Sequence, residues 1–149
     1  MAADLHAASA DHLLCADRND ARALARAGVV ATLCPVTALS VGKVPPVAQF
    51  ISAGAVIALG TDHNPGTSGM TSMSQVIALA IGLFKMSASR ALLAATTGSA
   101  QSLDLSDRGA VKRSLLADVV LWDAEHEGAF AWAFGLAPRQ VWKGGSPIQ

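Results

Sequence analysis

The chain has 149 residues, the size of one ordinary domain, and 52% of them are hydrophobic, so it can build a core. Eleven basic residues balance eleven acidic ones, and only 15% of the chain is charged. Because no run of Lys or Arg could follow a phosphate backbone, the sequence excludes nucleic acid as a partner.

The sequence also argues against a membrane protein. Residues 1–10 have neither a basic leader nor a continuous apolar stretch, and residues 70–86 are too short and too polar for a membrane span. Cys15 and Cys34 lack the paired spacing of a zinc or redox motif. We interpret both as reduced thiols in or near the core, and we expect a cytoplasmic protein.

Helix and strand patterns alternate through the first hundred residues. A helix is predicted at 17–27, a buried strand at 29–34, a second helix at 47–53 and a second buried strand at 56–60. Further helices are predicted at 71–85, 87–95 and 99–103. Such alternation is typical of an α/β fold with a parallel sheet.

The pattern changes near Leu105 to short apolar runs separated by turns. Strands are predicted at 109–111, 117–122 and 140–143. We therefore divide the chain into an α/β part, residues 1–104, and a β-rich part, residues 105–149. Trp122, Trp132 and Trp142 are expected to close a small β core.

Asp62 follows the second buried strand directly, in the sequence Thr61-Asp62-His63-Asn64-Pro65-Gly66-Thr67. Reactive groups of parallel barrels stand at the carboxyl ends of strands, although an Asp in this position can also simply shape a loop. Several donors and acceptors crowd the same short loop, which favours a site. A carboxylate there can bind a divalent metal and accept a proton from a water molecule.

The remaining candidates are weaker. His12 could lie at the end of a first strand, level with Asp62, whereas a lone histidine is more often structural. None of the histidines forms a close ligand pair, and His126 lies in a polar turn with no assigned function. Backbone amides near Gly66 and Thr67 could instead bind an anion or a substrate carboxylate.

Four segments together resemble the C-terminal portion of the imidazolonepropionases, amidohydrolase-superfamily enzymes of histidine breakdown. They are residues 9–13, 54–68, 88–100 and 117–123. An Asp at a strand end is common among amidohydrolases, whereas Asp-x-Asn-Pro-Gly-Thr followed by Ser is more specific. The resemblance implies the C-terminal part of a metal-dependent (β/α)8 barrel followed by strands of a small β-sandwich.

The resemblance also implies roles for individual residues. Asp62 would be a ligand of one zinc or iron ion, and His12 would orient or activate the water. Asn64 and Gly66 would hold the product, and Thr67 would contact the substrate. The implied reaction is hydrolysis of a cyclic amide, which opens the ring of 4-imidazolone-5-propanoate to N-formimidoyl-L-glutamate.

Other features limit what the 149 residues could do alone. A complete barrel takes roughly 250 residues, and the family's other metal ligands lie upstream of the matching segments. We expect the N-terminal half of the barrel, or a homo-oligomer, to be needed for a complete site, and the isolated chain to be inactive. Two alternatives stay open: another cyclic amide or amidine hydrolase or deaminase, and a non-catalytic remnant.

Overall fold

The computed structural model describes residues 1–148. Three short strands near the N-terminus form one sheet: β1 (Ser9–Asp11), β2 (Val30–Leu33) and β3 (Ile57–Leu59). They lie in the order β1-β2-β3, and both neighbouring pairs are parallel. Since sequential strands are neighbours and run the same way, their carboxyl ends meet at one edge of the sheet. The predicted α/β character of this part is confirmed.

Helices connect and follow these strands: α1 (Arg18–Ala27), α2 (Pro35–Ser40), α3 (Val47–Ser52), α4 (Met73–Gly82), α5 (Ala88–Leu93) and α6 (Ser99–Ser102). The start of α1 is a capping box, in which Asp17 and Asp20 accept each other's backbone N–H groups. Gly28 ends that helix in the left-handed conformation, with φ of 71°. Local sequence therefore fixes both ends of α1.

One face of the parallel sheet packs against the helices. Alternate strand residues, Ala31 and Leu33 in β2 and Ile57 and Leu59 in β3, belong to the main apolar cluster. From the helices, that cluster includes Leu24, Phe50, Val76 and Ala91. Because side chains alternate along a strand, Thr32 and Ala58 point to the opposite face. They pair across β2 and β3.

The last part of the chain forms a separate antiparallel sheet. Its elements are β4 (Val119–Trp122), α7 (Ala129–Trp132), β5 (Pro138–Lys143) and β6 (Ser146–Pro147). The strand order is β4-β5-β6. Two of the three predicted strands are thus confirmed, with shifted ends. The predicted strand at 109–111 is wrong: these residues form bends and coil.

Close packing explains that difference. Gly109 has a φ of 92°, and a Cβ at that position would come within 3.1 Å of atoms in Thr96, Thr97 and Ala100. The chain therefore passes closely over the helical segment instead of pairing with a sheet, which needs extended backbone.

Several other sequence predictions change in detail. The helices expected at 87–95 and 99–103 are joined by a π-helical turn, Ala94–Gly98. The short helix α2 was not predicted, because Pro35 was read only as the end of a strand, although proline also suits the first turn of a helix.

Three predictions concerned side-chain burial. Cys34 is buried as predicted, but Cys15 is exposed, so the prediction of a core or near-core thiol is wrong there. The prediction that all three tryptophans close a β core fails for Trp132, which is 77% exposed. Trp122 is half-buried and packs edge-to-face on Phe130, with ring centroids 5.1 Å apart.

Within residues 1–148, no helix combines the length and apolar character that crossing a bilayer requires.

Candidate metal centre

Three side chains with metal-binding atoms meet at the carboxyl edge of the parallel sheet. His12 directly follows β1, Cys34 directly follows β2, and Asp62 lies three residues beyond β3. One imidazole nitrogen, the thiol sulfur and one carboxylate oxygen all lie within 4.8 Å of one another. Each of the three strands thus contributes one donor. The expected position of His12 at a strand end, level with Asp62, is confirmed.

His12 reaches this cluster through an unusual backbone conformation. In β1, Ala10 pairs with Ala31 and packs against the helix-facing core, so regular alternation would direct residue 12 to the same face. His12 instead has a φ of 64°. Its backbone N–H donates to the carbonyl of Thr32 at 2.9 Å, and its Nε2 lies 3.8 Å from Oδ2 of Asp62. The left-handed residue turns the imidazole towards the carboxylate.

Asp62 also has a positive φ, 48°. A left-handed conformation costs free energy for any residue with a Cβ, and such strain is concentrated at functional sites. The hydroxyl of Thr37 donates to Oδ2 of Asp62 at 2.5 Å. Thr37 lies in α2 and is only 6% exposed. It therefore holds the carboxylate in one orientation.

Thr37 and Cys34 were missed by sequence reasoning. The segment Cys34-Pro35-Val36-Thr37 follows a buried strand, as the Asp62 segment does, and that position was the available signal. Pro35 at the first turn of α2 was a second signal, because it predicts a helix that brings Thr37 back over the strand end.

The loop after Asp62 is ordered by Asn64. The side-chain oxygen of Asn64 accepts from the N–H groups of Gly66 and Thr67, both at 2.8 Å. Its Nδ2 donates to the carbonyl oxygen of Asp62 and to the hydroxyl of Thr67, at 2.5 and 3.2 Å. Ser68, 2% exposed, closes the loop by donating to the carbonyl of Thr61 at 2.6 Å. Asn64 therefore stabilises the loop, and the substrate contacts expected of Asn64, Gly66 and Thr67 stay predictions.

Two other histidines, His63 and His126, do not belong to the cluster. His63 is exposed. His126 accepts a hydrogen bond at Nδ1 from the N–H of Gly128, immediately before α7, at 3.0 Å. This contact gives His126 a local structural role.

One member of the cluster, His12, lines a cavity of about 600 Å³. His12 and Thr37 line it together with mostly apolar residues, among them Leu13, Leu14 and Leu24. Concave, mainly apolar spaces with a few converging polar groups are where proteins bind small molecules.

Burial controls the charge of Cys34. Its side chain is 7% exposed, and loss of hydration raises the pKa of its thiol to about 12. The negative charges of Asp62 and Asp11 raise the same pKa further. Without a cation nearby the sulfur therefore carries its proton at neutral pH.

The donor set itself fits a divalent cation. Imidazole nitrogen, thiolate sulfur and carboxylate oxygen are the protein ligands of zinc. One further polar atom at the site lacks a partner: His12 Nδ1 is buried without a hydrogen bond in the described part of the chain. Metal-ligating histidines usually donate this second N–H to a carboxylate, a carbonyl or a water molecule, and no protein group within residues 1–148 pairs with it.

Comparisons with known proteins show which sequences and folds this chain is similar to. The amidohydrolase family model matches residues 2–148. An imidazolonepropionase from Cereibacter sphaeroides is 40% identical over 143 residues, which are 95% of this chain and 36% of that protein. The chain spans between 35% and 37% of the length of the curated relatives it matches.

Two solved structures share the fold at low sequence identity. An aminofutalosine deaminase from Helicobacter pylori, in complex with methylthio-coformycin, has a TM-score of 0.83 and 18% identity, covering 99% of this chain and 40% of that chain. An adenosine deaminase from Xanthomonas campestris, with bound zinc, has a TM-score of 0.80 and 23% identity, covering 97% and 38%.

The family model spans nearly all of the sequence, and the parallel strands with their helices form an α/β portion of an amidohydrolase-type fold. The chain belongs to the amidohydrolase family.

Proposed function

We propose that this chain forms the C-terminal part of a metal-dependent imidazolonepropionase, which opens the ring of 4-imidazolone-5-propanoate to N-formimidoyl-L-glutamate. The observation that carries this proposal is the approach of His12 Nε2 to within 3.8 Å of Asp62 Oδ2 at the ends of parallel strands. The 40% identity to an imidazolonepropionase supports the choice of substrate.

In this proposal, residues 1–104 supply the last βα units of a (β/α)8 barrel, and residues 105–149 supply strands of a small β-sandwich. β1 and β3 are the edge strands of the parallel sheet, so each has one side available for pairing. Barrel strands upstream of β1 would come from the N-terminal half of the enzyme, on a longer or separate polypeptide, or from a second copy of this chain. Such units would complete the ligand set.

Asp62 would hold one zinc or iron ion, and its fixed orientation by Thr37 suits that task. A divalent cation, when bound, polarises a carbonyl oxygen and lowers the pKa of a water molecule. The carboxylate of Asp62 would accept the proton of the attacking water and pass it to the ring nitrogen as the carbon–nitrogen bond breaks. The His12 imidazole would hydrogen-bond and orient that water.

The loop ordered by Asn64 would form the substrate side of the site. Thr67 lies close to the Asp62 carboxylate and its Thr37 partner, because the hydroxyl of Thr67 is 3.4 Å from that of Thr37. We propose that Thr67 contacts the imidazolone ring and that Asn64 and Gly66 hold the ring-opened product. Loop movement would have to release the Asn64 hydrogen bonds for its amide to bind product.

The test is reconstitution. This chain would be coexpressed with the N-terminal portion of the Cereibacter sphaeroides imidazolonepropionase that it does not match, and hydrolysis of 4-imidazolone-5-propanoate measured. We expect turnover by the pair and none by the chain alone. Asp62→Asn should lower kcat/KM by about 10²–10⁴-fold, which is the usual contribution of a proton-transferring group.

His63→Asn is the matched control, because His63 is exposed beside Asp62. It should leave turnover unchanged. A well-formed reconstituted complex that binds a metal ion and hydrolyses no imidazolone would contradict the proposal and favour a remnant without catalytic function.

A second candidate is a deaminase of a cyclic amidine. The two fold neighbours described above are both deaminases, and the same donor set suits attack of water on an amidine carbon. Release of ammonia from adenosine-type substrates by the reconstituted pair, without opening of the imidazolone ring, would identify this alternative.

A further inference from the structure

The hydroxyl of Thr37 is directed away from its own helix. Hydroxyl groups inside helices often donate to a backbone carbonyl three or four residues earlier, and Ser40 in α2 does so, to Val36 at 3.0 Å. Thr37 lies in the same helix and is 6% exposed, but it donates its only proton to Oδ2 of Asp62. A long-range contact thus replaces the local bond that is usual for a threonine in a helix.

The hydrogen bonds behind Thr37 run in one direction. Two backbone N–H groups donate to Oδ1 of Asn64, so its other side-chain atom is the amide nitrogen, which donates to the hydroxyl of Thr67 at 3.2 Å. Each hydroxyl has a single proton. Because the proton of Thr37 is committed to Asp62, the 3.4 Å contact between the two threonine hydroxyls leaves Thr67 as the donor. The loop therefore supports the Thr37–Asp62 bond and does not compete for it.

The two carboxylate oxygens of Asp62 have different surroundings. Oδ2 accepts from Thr37 at 2.5 Å and lies 3.8 Å from Nε2 of His12. The second distance is too long for a direct hydrogen bond, but it lets one water molecule contact both atoms. In the part of the chain that the structure describes, residues 1–148, no group donates to Oδ1. Oδ1 therefore keeps its lone pairs for another partner.

We propose that Thr37 is a positioning residue that gives the two oxygens of Asp62 separate tasks. Its hydroxyl holds Oδ2 beside His12, where that oxygen takes the proton of the attacking water, and leaves Oδ1 to bind the ion. The terminal torsion of an Asp side chain is soft and roughly twofold, so without this bond the two oxygens can exchange places. The inference rests on the proposed function in taking Asp62 as both ligand and proton acceptor.

The first experiment compares two substitutions in the reconstituted pair, saturated with zinc and assayed with 4-imidazolone-5-propanoate. Thr37→Val keeps the shape of the side chain and removes its hydroxyl, whereas Thr37→Ser keeps the hydroxyl and removes a methyl group. We expect Thr37→Val to lower kcat about 10–100-fold, the usual effect of losing a partner of a metal ligand, with KM unchanged. Thr37→Ser should retain most of the wild-type kcat. A residue that only fills space would give the reverse order.

Thr96→Val is the matched control. Thr96 is exposed, and its hydroxyl donates to the carbonyl of Leu92 at 2.7 Å, within the same helical segment. This variant should leave kcat unchanged, and circular dichroism of every variant checks that it is folded. Equal kcat values for the wild type and Thr37→Val overturn the role of Thr37 and leave the proposed hydrolase intact. Absence of turnover by the wild-type pair contradicts the proposed function instead.

A second experiment needs no activity and uses the chain by itself. A buried hydroxyl proton held by a carboxylate exchanges slowly with water, so Thr37 should give its own hydroxyl signal in proton NMR spectra. Asp62→Ala should abolish that signal. A wild-type chain without the signal, or a signal that Asp62→Ala leaves unchanged, overturns the proposal even where Thr37→Val does not fold or the pair shows no turnover.

A crystal structure of the zinc-loaded pair assigns the two oxygens directly. We expect zinc on Oδ1 of Asp62 and the hydroxyl of Thr37 on Oδ2. Zinc bound to Oδ2, with the hydroxyl of Thr37 displaced, overturns the division of tasks, whatever the effect of Thr37→Val on kcat.

Discussion

The α/β region and the antiparallel tail differ in how their sheets are covered. Between residues 1 and 148, every buried hydrophobic residue lies between Ala21 and Ala100, except Ala129 and Phe130 of α7. Two of the parallel strands, β2 and β3, carry buried positions, whereas the burial patterns of β4, β5 and β6 contain only half-buried and exposed ones. Helices pack on one face of the first sheet, whereas few side chains pack on either face of the second.

The difference shows which region carries its own stability. A three-stranded sheet needs packing on at least one face to be stable in water. The tail meets this need through a few contacts, such as Trp122 on Phe130, and leaves large apolar side chains exposed: Val120, Leu121, Trp132 and Phe134. Such a surface favours association with another segment or another molecule. The candidate metal centre lies in the region that is packed.

The largest expected effect is that of removing a buried aromatic side chain from the α/β region, and an exposed aromatic residue of the tail gives the comparison. Phe50 is 0% exposed within the α/β core, and Phe50→Ala should lower the free energy of unfolding by about 3–5 kcal/mol, because it leaves a cavity. Trp132→Ala, at 77% exposure, should change it by less than about 0.5 kcal/mol. Denaturant unfolding followed by circular dichroism measures both. Equal losses of unfolding free energy in the two variants would show that the tail is packed as tightly as the α/β core.

A smaller effect is expected where the π-helical turn approaches the parallel sheet. A Cβ at Gly98 would overlap the carbonyl oxygen of Ile57 in β3, so Gly98→Ala must push backbone apart. We expect a loss of about 1–3 kcal/mol. Gly82→Ala is the control, because nothing lies within 4 Å of its Cβ position at the end of α4.

Gly82→Ala should stabilise the protein by about 0.5–1 kcal/mol, since alanine favours the helix. Thermal melts of the two variants should therefore shift in opposite directions. A Gly98→Ala variant that melts like the wild type would show that β3 and the helical turn are not tightly coupled.

The smallest effect concerns an ion-pair cluster that joins the tail strands. Asp118 accepts hydrogen bonds from Lys143 at 2.7 Å and from the Gly144 N–H at 2.8 Å, and Arg108 lies 3.4 Å away. The Lys143 bond, the Gly144 bond and the positive charges lower the pKa of Asp118 below its ordinary 3.8. The charged form is thus favoured by folding. Its contribution is present above that ordinary value and is lost as pH falls through the lower, folded-state pKa.

Asp118→Asn should accordingly lower the melting temperature slightly at neutral pH, and the effect should shrink as the pH falls through the lowered pKa of the folded state, where the wild-type carboxylate is also protonated. Asp123→Asn, at an exposed position just after β4, serves as the control. A difference between wild type and Asp118→Asn that does not shrink on acidification would show that the cluster acts through shape and not through charge.

Local signals in the sequence were strong enough to predict much of the α/β region. The helix α1, the two buried strands and the strand-end position of Asp62 follow from capping residues, apolar runs and breakers that act within a few neighbours. The tail was predicted less well. Gly109–Val111 satisfied strand preferences locally, but packing over Thr96 and Thr97 took precedence. Strand preferences depend strongly on such surroundings.

The sequence by itself determined which side chains could bind a metal and that Asp62 stands at a strand end, because both depend on residue type and on contacts close along the chain. Only the tertiary structure decided that His12, Cys34 and Thr37 join Asp62. His12 reaches the site through a positive φ that reverses strand alternation, and Thr37 acts across 25 residues of chain. Hydrophobic periodicity encodes burial and carries no information about such a reversal, so parallel strand pairing and local backbone strain had to bring the donors together.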